Sequence, residues 1–349
     1  MSAEAKERIQ RWIEAGDETA VLDLHNLGIE KLPELPANLQ YLECDSCYYL
    51  KELPKLPANL QKLICMYCSN LEKLPKLPES LQELQCSSCH NLKELPKLPP
   101  NLQSLECSYS RNIKEIPKLP ESLQKLYCNS SLCEELPELP ESLQELQCSC
   151  CFNIKELPEL PLNLQKLTCV NCSDLKKLPK LPESLQILYC SSCPIEELPE
   201  LPPNLQSLYC SKCFIEELPE LLPNLKILEC ESCPIKDITK LPISLELLWC
   251  SKCHIKELPE LPPSLQILNC FNCFNLKELP ELPESLQNLY CSSCPIKKLP
   301  ELPSSLQILY CSSCSIKKLP ELPDSLQELF CYHCSVESLP AILPAKLYL

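Results

Sequence analysis

The sequence predicts a parallel β-solenoid, a coil of short rungs that each add one strand to a sheet. Three observations carry this reading. A unit of 20 or 21 residues recurs along almost all of the 349-residue chain. Each unit holds one short stretch of alternating apolar and variable residues, the period of a strand. Each also holds a Leu-Pro-x-Leu-Pro segment, in which proline lacks the amide donor and fixes φ, so that no helix can pass through it.

The unit reads L-P-x-L-P-x-[NS]-L-Q-x-L-x-C-x-x-C-x-[IL]-x-x-L-P, and its leading cysteine steps from Cys44 to Cys331. A cysteine-free unit, VLDLHNLGIEKLP at Val21 to Pro33, opens the array and brings the total to 16. The extra residue of the longer units follows the second cysteine, as CHNLKELP against CPIEELP shows. A turn there absorbs it and leaves the strand register unchanged.

In the unit around residue 187, Leu185, Leu188 and Cys190 are expected inward, and Ile187 and Tyr189 outward. Twenty residues leave no room for a helical crossover, so successive strands must stack directly. The sheet is expected on a concave side, with the proline segments extended, polyproline-II-like, along the convex one. The residue before the first strand leucine is Asn or Ser from Asn38 to Ser325. Such side chains bond nearby backbone and suit a turn. At the N-terminus, Ile9, Trp12 and Ile13 mark one apolar helical face, and Gly16 fits a C-cap. The expected organisation is a helical cap over 1–19, repeats over 20–340 and a tail over 341–349.

Composition removes several function classes. Net charge is −15, which disfavours nucleic acid and anionic membrane as partners. Only Gly16 and Gly28 are glycines, so no phosphate-cradling loop and no G-x-S-x-G elbow can be written. No catalytic constellation can be assembled and no cofactor is expected. The N-terminus lacks the apolar core of a signal peptide, and no apolar run reaches about 18 residues. A reducing, cytoplasmic setting is expected, or export by a route that needs no such signal.

The repeats resemble the leucine-rich repeat family. With LPxLP in nearly every unit, they are most similar to the repeat domains of bacterial secreted effectors of the YopM and IpaH type; FNIP-type repeats, which also use LPxSL, are a weaker likeness. The resemblance implies a curved leucine-rich-repeat solenoid with an N-terminal helical cap. It also implies a secreted effector, or another intracellular protein, that engages a eukaryotic partner protein. The family usually has Asn where this chain has its second cysteine. Its ligase members carry a further C-terminal domain; here the repeats run to SVESLPAILPAKLYL, so no ligase activity is expected.

Thirteen of the fifteen cysteine units have the full Cys-x-x-Cys, with Ser110 and Ser131 in the other two. The favoured reading is structural. The first cysteine holds a core leucine position, and the second the position of the Asn ladder. The alternative is a thiol-rich metal or redox protein. Stacked strands lie about 4.8 Å apart, so Cys190, Cys193, Cys210 and Cys213 could offer four thiolates to one ion. Extensive disulfides are a third reading. CSSCH at Cys86 to His90 and CSKCH at Cys250 to His254 have haem-attachment spacing, read here as chance within so many repeats.

The outward strand positions should carry recognition. Before each leading cysteine, the last eight units offer Tyr189, Tyr209, Glu229, Trp249, Asn269, Tyr290, Tyr310 and Phe330. Two residues earlier stand Ile187, Ile227, Leu247, Ile267 and Ile308. The first seven units have one aromatic in that column, Tyr127. A large exposed apolar patch for a partner protein is expected in the C-terminal half. The convex side divides too, with Lys at Lys55, Lys76, Lys97 and Lys118 where later units place Glu, as at Glu200 and Glu321; it reads as a solvated face.

Overall fold

The computed structural model describes residues 3–334, 336–337 and 344–348. They form two compact units, Met1–Leu175 and Lys176–Leu349. In the first, a helix, Ala3–Ala15, precedes eight strands from Leu22–Asp23 to Lys166–Thr168. In the second, nine strands run from Ile187–Tyr189 to Lys346–Tyr348. Within each unit, neighbouring strands in the chain pair in parallel, leucine opposite leucine, as Leu42 with Leu63 and Leu208 with Leu228. This is a leucine-rich-repeat solenoid. Among the described residues no helix is long and apolar enough to cross a membrane.

Each strand is three residues long or less; its core leucine is buried in all but the last strand, and the flanking residues are mostly half-buried. The longer units absorb their extra residue where expected. Leu50 N donates to Cys47 O at 3.0 Å, and Leu276 N to Cys273 O at 3.0 Å, closing a turn that the 20-residue rungs lack. Asn269 therefore pairs with Tyr290 across 21 residues as cleanly as Tyr290 does with Tyr310 across 20. The entry to the strand is also a turn, with Leu60 N donating to Pro57 O at 3.2 Å.

The Asn or Ser ahead of that leucine does something the sequence did not indicate. Its side chain bonds the preceding rung, not its own turn. Ser80 Oγ donates to Leu60 O at 2.7 Å, and Asn101 Nδ2 donates to Glu79 O at 2.9 Å. The amide of the following leucine is spent in its own turn, as Leu81 N donates to Pro78 O at 3.2 Å, and the side chain supplies the link to the rung before.

The N-terminal helix packs Ala5, Ile9 and Trp12 inward, and Trp12 Nε1 donates to Ala20 O at 2.9 Å. Ile13 is half exposed, outside this narrow seam, contrary to the expectation that it shares the apolar face. Gly16 closes the helix at φ 66°, with its N–H bonded to Ile13 O at 3.2 Å. Past the repeats, the described part of 341–349 is more than a tail, because Lys346–Tyr348 pairs in parallel with Glu328–Phe330. Positions 341–343 and 349 of that segment, and 335 and 338–340 of the last repeat, lie outside the described residues.

One backbone feature recurs in every rung. The third residue of each Cys-x-x-Cys, or its equivalent, is left-handed: sixteen non-glycine residues, from Asn26 to His333, have φ between 55° and 60°. Its amide joins the inter-rung ladder, as when Lys212 N donates to Glu231 O at 2.7 Å. A side chain in this region costs about 1–2 kcal/mol, which only glycine avoids. We expect Lys212→Gly to raise the unfolding free energy by about 0.5–1 kcal/mol, the relief of strain exceeding the added chain entropy. Thermal and urea unfolding check this; a fall in stability would show that the turn is unstrained.

Candidate functional site

The cysteines are placed by the turn just described. All thirty cysteines are unbridged thiols, and all are buried except Cys150 and Cys334, which are half-buried. The second cysteine of a rung folds back beneath the strand and donates to the carbonyl of the leading cysteine one rung before. The Cys68 thiol reaches Cys44 O at 3.2 Å, and the Cys233 thiol reaches Cys210 O at 3.1 Å. Ser110 makes the same bond with oxygen, to Cys86 O at 3.0 Å. In the first rung Leu24 holds the leading position, and the Cys47 thiol donates to its carbonyl at 3.3 Å.

Hydrogen bonding to Cys213, then burial, holds the Cys190 thiol well above its ordinary range, and the Cys210 thiol is raised likewise by Cys233 and burial. Such groups are neutral at pH 7, and a metal takes thiolates. Among the described residues no three Cys, His, Asp or Glu side chains are gathered to hold a metal ion, so Cys190, Cys193, Cys210 and Cys213 make no such group. Cys86 and Cys89 are buried while His90 is exposed, and Cys250, Cys253 and His254 repeat the arrangement. These thiols are core side chains, Cys89 and Cys253 donating to the carbonyls of Cys65 and Cys230, not a haem-attachment face.

The outward column differs between the two units. In the first it is largely polar and paired from within around Glu145 and Glu106, while the Thr168 hydroxyl is buried without a partner among the described residues. Glu145 accepts from Lys166 Nζ at 2.7 Å, from the Tyr127 hydroxyl at 2.8 Å and from Gln147 Nε2 at 2.9 Å. Glu106 accepts from Ser87 Oγ at 3.1 Å. In the second, rings stack up the column. Tyr189 and Tyr209 lie with centroids 4.2 Å apart and planes 11° from parallel. Tyr290 meets Tyr310 edge-on at 5.0 Å, and Tyr310 meets Phe330 at 4.2 Å. Trp249 has Glu229 and Asn269 as its register neighbours, and no ring pairs with it among the described residues.

All eleven apolar residues expected to form an exposed patch are on this face, but each is half-buried. Stacking covers ring faces of Tyr189, Tyr209, Tyr290, Tyr310 and Phe330, and the aliphatic column Ile187, Ile227, Leu247, Ile267 and Ile308 is half-buried beside them. The most open aromatic side chains lie elsewhere, in the turns after the strands, at Tyr49, Phe214 and Phe274.

The fold and its register can be compared with solved structures. YopM from Yersinia pestis, a leucine-rich effector protein, is 31% identical, aligned over 99% of this chain and 92% of its own, with a TM-score of 0.74. The chain belongs to the YopM-type leucine-rich repeat family. YopM from Yersinia enterocolitica WA-314 is 29% identical over 99% of this chain and 94% of its own, with a TM-score of 0.64. A leucine-rich repeat protein from Leptospira interrogans shares the fold at 22% identity, 93% coverage of each chain and a TM-score of 0.58. No protein-family profile and no curated protein matches the chain.

Two residues extend the aromatic column of this YopM-type chain beyond the sequence expectation. Tyr348 stacks on Phe330 at 4.1 Å and 16°, and Tyr332 approaches both rings at 6.2 Å. The signal for Tyr348 was present, since Lys346-Leu347-Tyr348 repeats the strand Lys125-Leu126-Tyr127. The run of prolines and apolar residues before it concealed the match.

Proposed function

We propose that this YopM-type protein is a non-enzymatic binding module. A partner protein docks on the outward sheet face of the second unit, the face expected to be concave. The contact side chains are Tyr189, Tyr209, Trp249, Tyr290, Tyr310 and Phe330, with the aliphatic column beside them. The observation that carries the reading is the difference between the two units. The same column is polar and self-paired around Glu145 but aromatic and aliphatic from Ile187 to Phe330. A stripe serving only to join strands would be equally useful in both. Tyr and Trp on a preorganised sheet lose little entropy on binding and are common hot-spot residues. Likeness to a Yersinia effector supports action on a eukaryotic host protein in a reducing cytoplasm, after export without a standard signal peptide.

The test is capture from eukaryotic cell lysate by the full chain and by its Tyr209→Ser, Trp249→Ser, Tyr290→Ser triple variant. Loss of capture, with the variant still folded by circular dichroism, is the expected result. Undiminished capture would overturn the reading.

A further inference from the structure

In the second unit, the column before the leading cysteines contains one carboxylate, Glu229, and among the described residues nothing answers it. Glu231 is paired with Lys252 at 2.9 Å, and Glu246 with Lys226 at 3.6 Å. Glu229, two residues before Glu231, is half-buried, and its carboxylate has no ion pair or hydrogen bond among the described residues. Its register neighbours are Tyr209 on one side and Trp249 on the other. The Tyr209 hydroxyl is engaged with Tyr189, and that bond, after burial, and then the charge of Glu229, push its phenol up to about 12. Burial and then the Glu231 carboxylate hold the Glu229 carboxyl above its ordinary range.

Two rungs separate Tyr209 from Trp249, about 10 Å at the usual strand spacing. Side chains stand nearly perpendicular to a sheet, so the two longer aromatic side chains rise on either side of the shorter Glu229. The Glu229 carboxylate forms the floor between them, with Ile227 and Leu247 paired in the neighbouring column. A negative floor between two aromatic walls suits one chemistry, a cation with a flat, weakly hydrated head and an apolar stem. Guanidinium stacks on rings, forks onto a carboxylate and lies its methylenes along apolar surface.

We propose that Tyr209, Glu229 and Trp249 form a pocket for an arginine side chain presented by the partner protein. This rests on the docking face proposed above and names what its centre recognises. The arginine supplies the counter-charge that the fold withholds from Glu229 alone among the three neighbouring acids.

The chain has two tryptophans, and Trp12 lies in the N-terminal helix, so the two indole N–H signals of the full-length protein report separately. The probes are Ac-Ile-Arg-Ile-NH2 and its citrulline counterpart, which keeps the shape and removes the charge. The expected result is a saturable shift of the Trp249 signal, with Trp12 unmoved, by the arginine peptide. The citrulline peptide should bind about tenfold more weakly, and Glu229→Gln should weaken the arginine peptide by about tenfold, the scale of one charge-assisted contact. Equal binding of the two peptides, or arginine binding unchanged in Glu229→Gln, would overturn the proposal. Glu229→Gln preserves side-chain shape and is expected to melt no lower than the parent. Lysate capture separates the two levels. If the triple variant loses capture while Glu229→Gln retains it in full, the docking face stands and the arginine pocket falls. If the triple variant retains capture, both fall.

Discussion

Cys230→Ser is expected to lower the unfolding free energy by about 2 kcal/mol, and Cys233→Ser by less than about 1 kcal/mol, although both thiols are buried. The difference lies in what each sulfur touches. Cys230 occupies the leading position, beside the central strand leucine, and its thiol meets the sulfur of Cys253. A hydroxyl placed there exchanges a soft, nearly apolar group for one that demands an oxygen acceptor. Cys233 already donates to an oxygen, Cys210 O at 3.1 Å. The chain contains the outcome of that exchange at Ser110, which bonds Cys86 O at 3.0 Å from the same position of its own rung. Urea unfolding under reducing conditions measures both. Equal costs at the two positions would mean that the leading sulfurs are not acting as core filler. Because each rung touches only its neighbours, the loss should appear as local opening of the second unit before global unfolding.

The sequence made the fold legible because a rung of 20 residues has few ways to close. One leucine at the centre of each cysteine unit's strand with the cysteine two positions on, proline on either side and a constant period leave direct parallel stacking as the arrangement that buries the strand leucines. The register of Leu188, Leu208 and Leu228 follows from this arithmetic alone. Features outside the arithmetic were not legible. A left-handed residue in each turn is normally announced by glycine, yet here it is Ser, Asn, Lys, Tyr, Cys or His. The bond from Asn101 to the preceding rung uses the same residue type as a local turn bond, so composition cannot separate them. Ile13 failed because a helix lying on one rung buries a narrower stripe than its apolar residues cover.

The candidate face was legible in position but not in exposure. Periodicity says which residues point outward; it does not say how far neighbouring rings lean together. In the second unit they lean far enough that Tyr189 and Tyr209 are near parallel, and each ring hides a face of the next. The stripe therefore carries two loads, cohesion between rungs and surface for a partner. Individual residues divide them unequally.

Tyr310 and Trp249 separate these loads. Tyr310 lies between Tyr290 and Phe330 at 5.0 and 4.2 Å, and its hydroxyl donates to Glu328 at 3.4 Å. Aromatic pairs contribute about 0.5–1.5 kcal/mol each beyond area burial, so Tyr310→Ala is expected to cost about 2–3 kcal/mol. Phe330 and Tyr348 continue this stack to the last described strand, where a terminal rung needs cover, so the loss should spread to that end. Among the described residues Trp249 has no ring partner, and its indole Nε1 is buried without an acceptor. An unsatisfied buried donor costs about 1–3 kcal/mol, which Trp249→Phe removes while keeping an aromatic ring. That variant is expected to match or exceed the parent in stability, yet to lose the wider indole face that a docked cation prefers. Urea unfolding beside lysate capture decides it. Tyr310→Ala should fall mainly in stability and Trp249→Phe mainly in capture; if Trp249→Phe loses stability and keeps capture, the indole is there to hold rungs together and the face binds nothing through it.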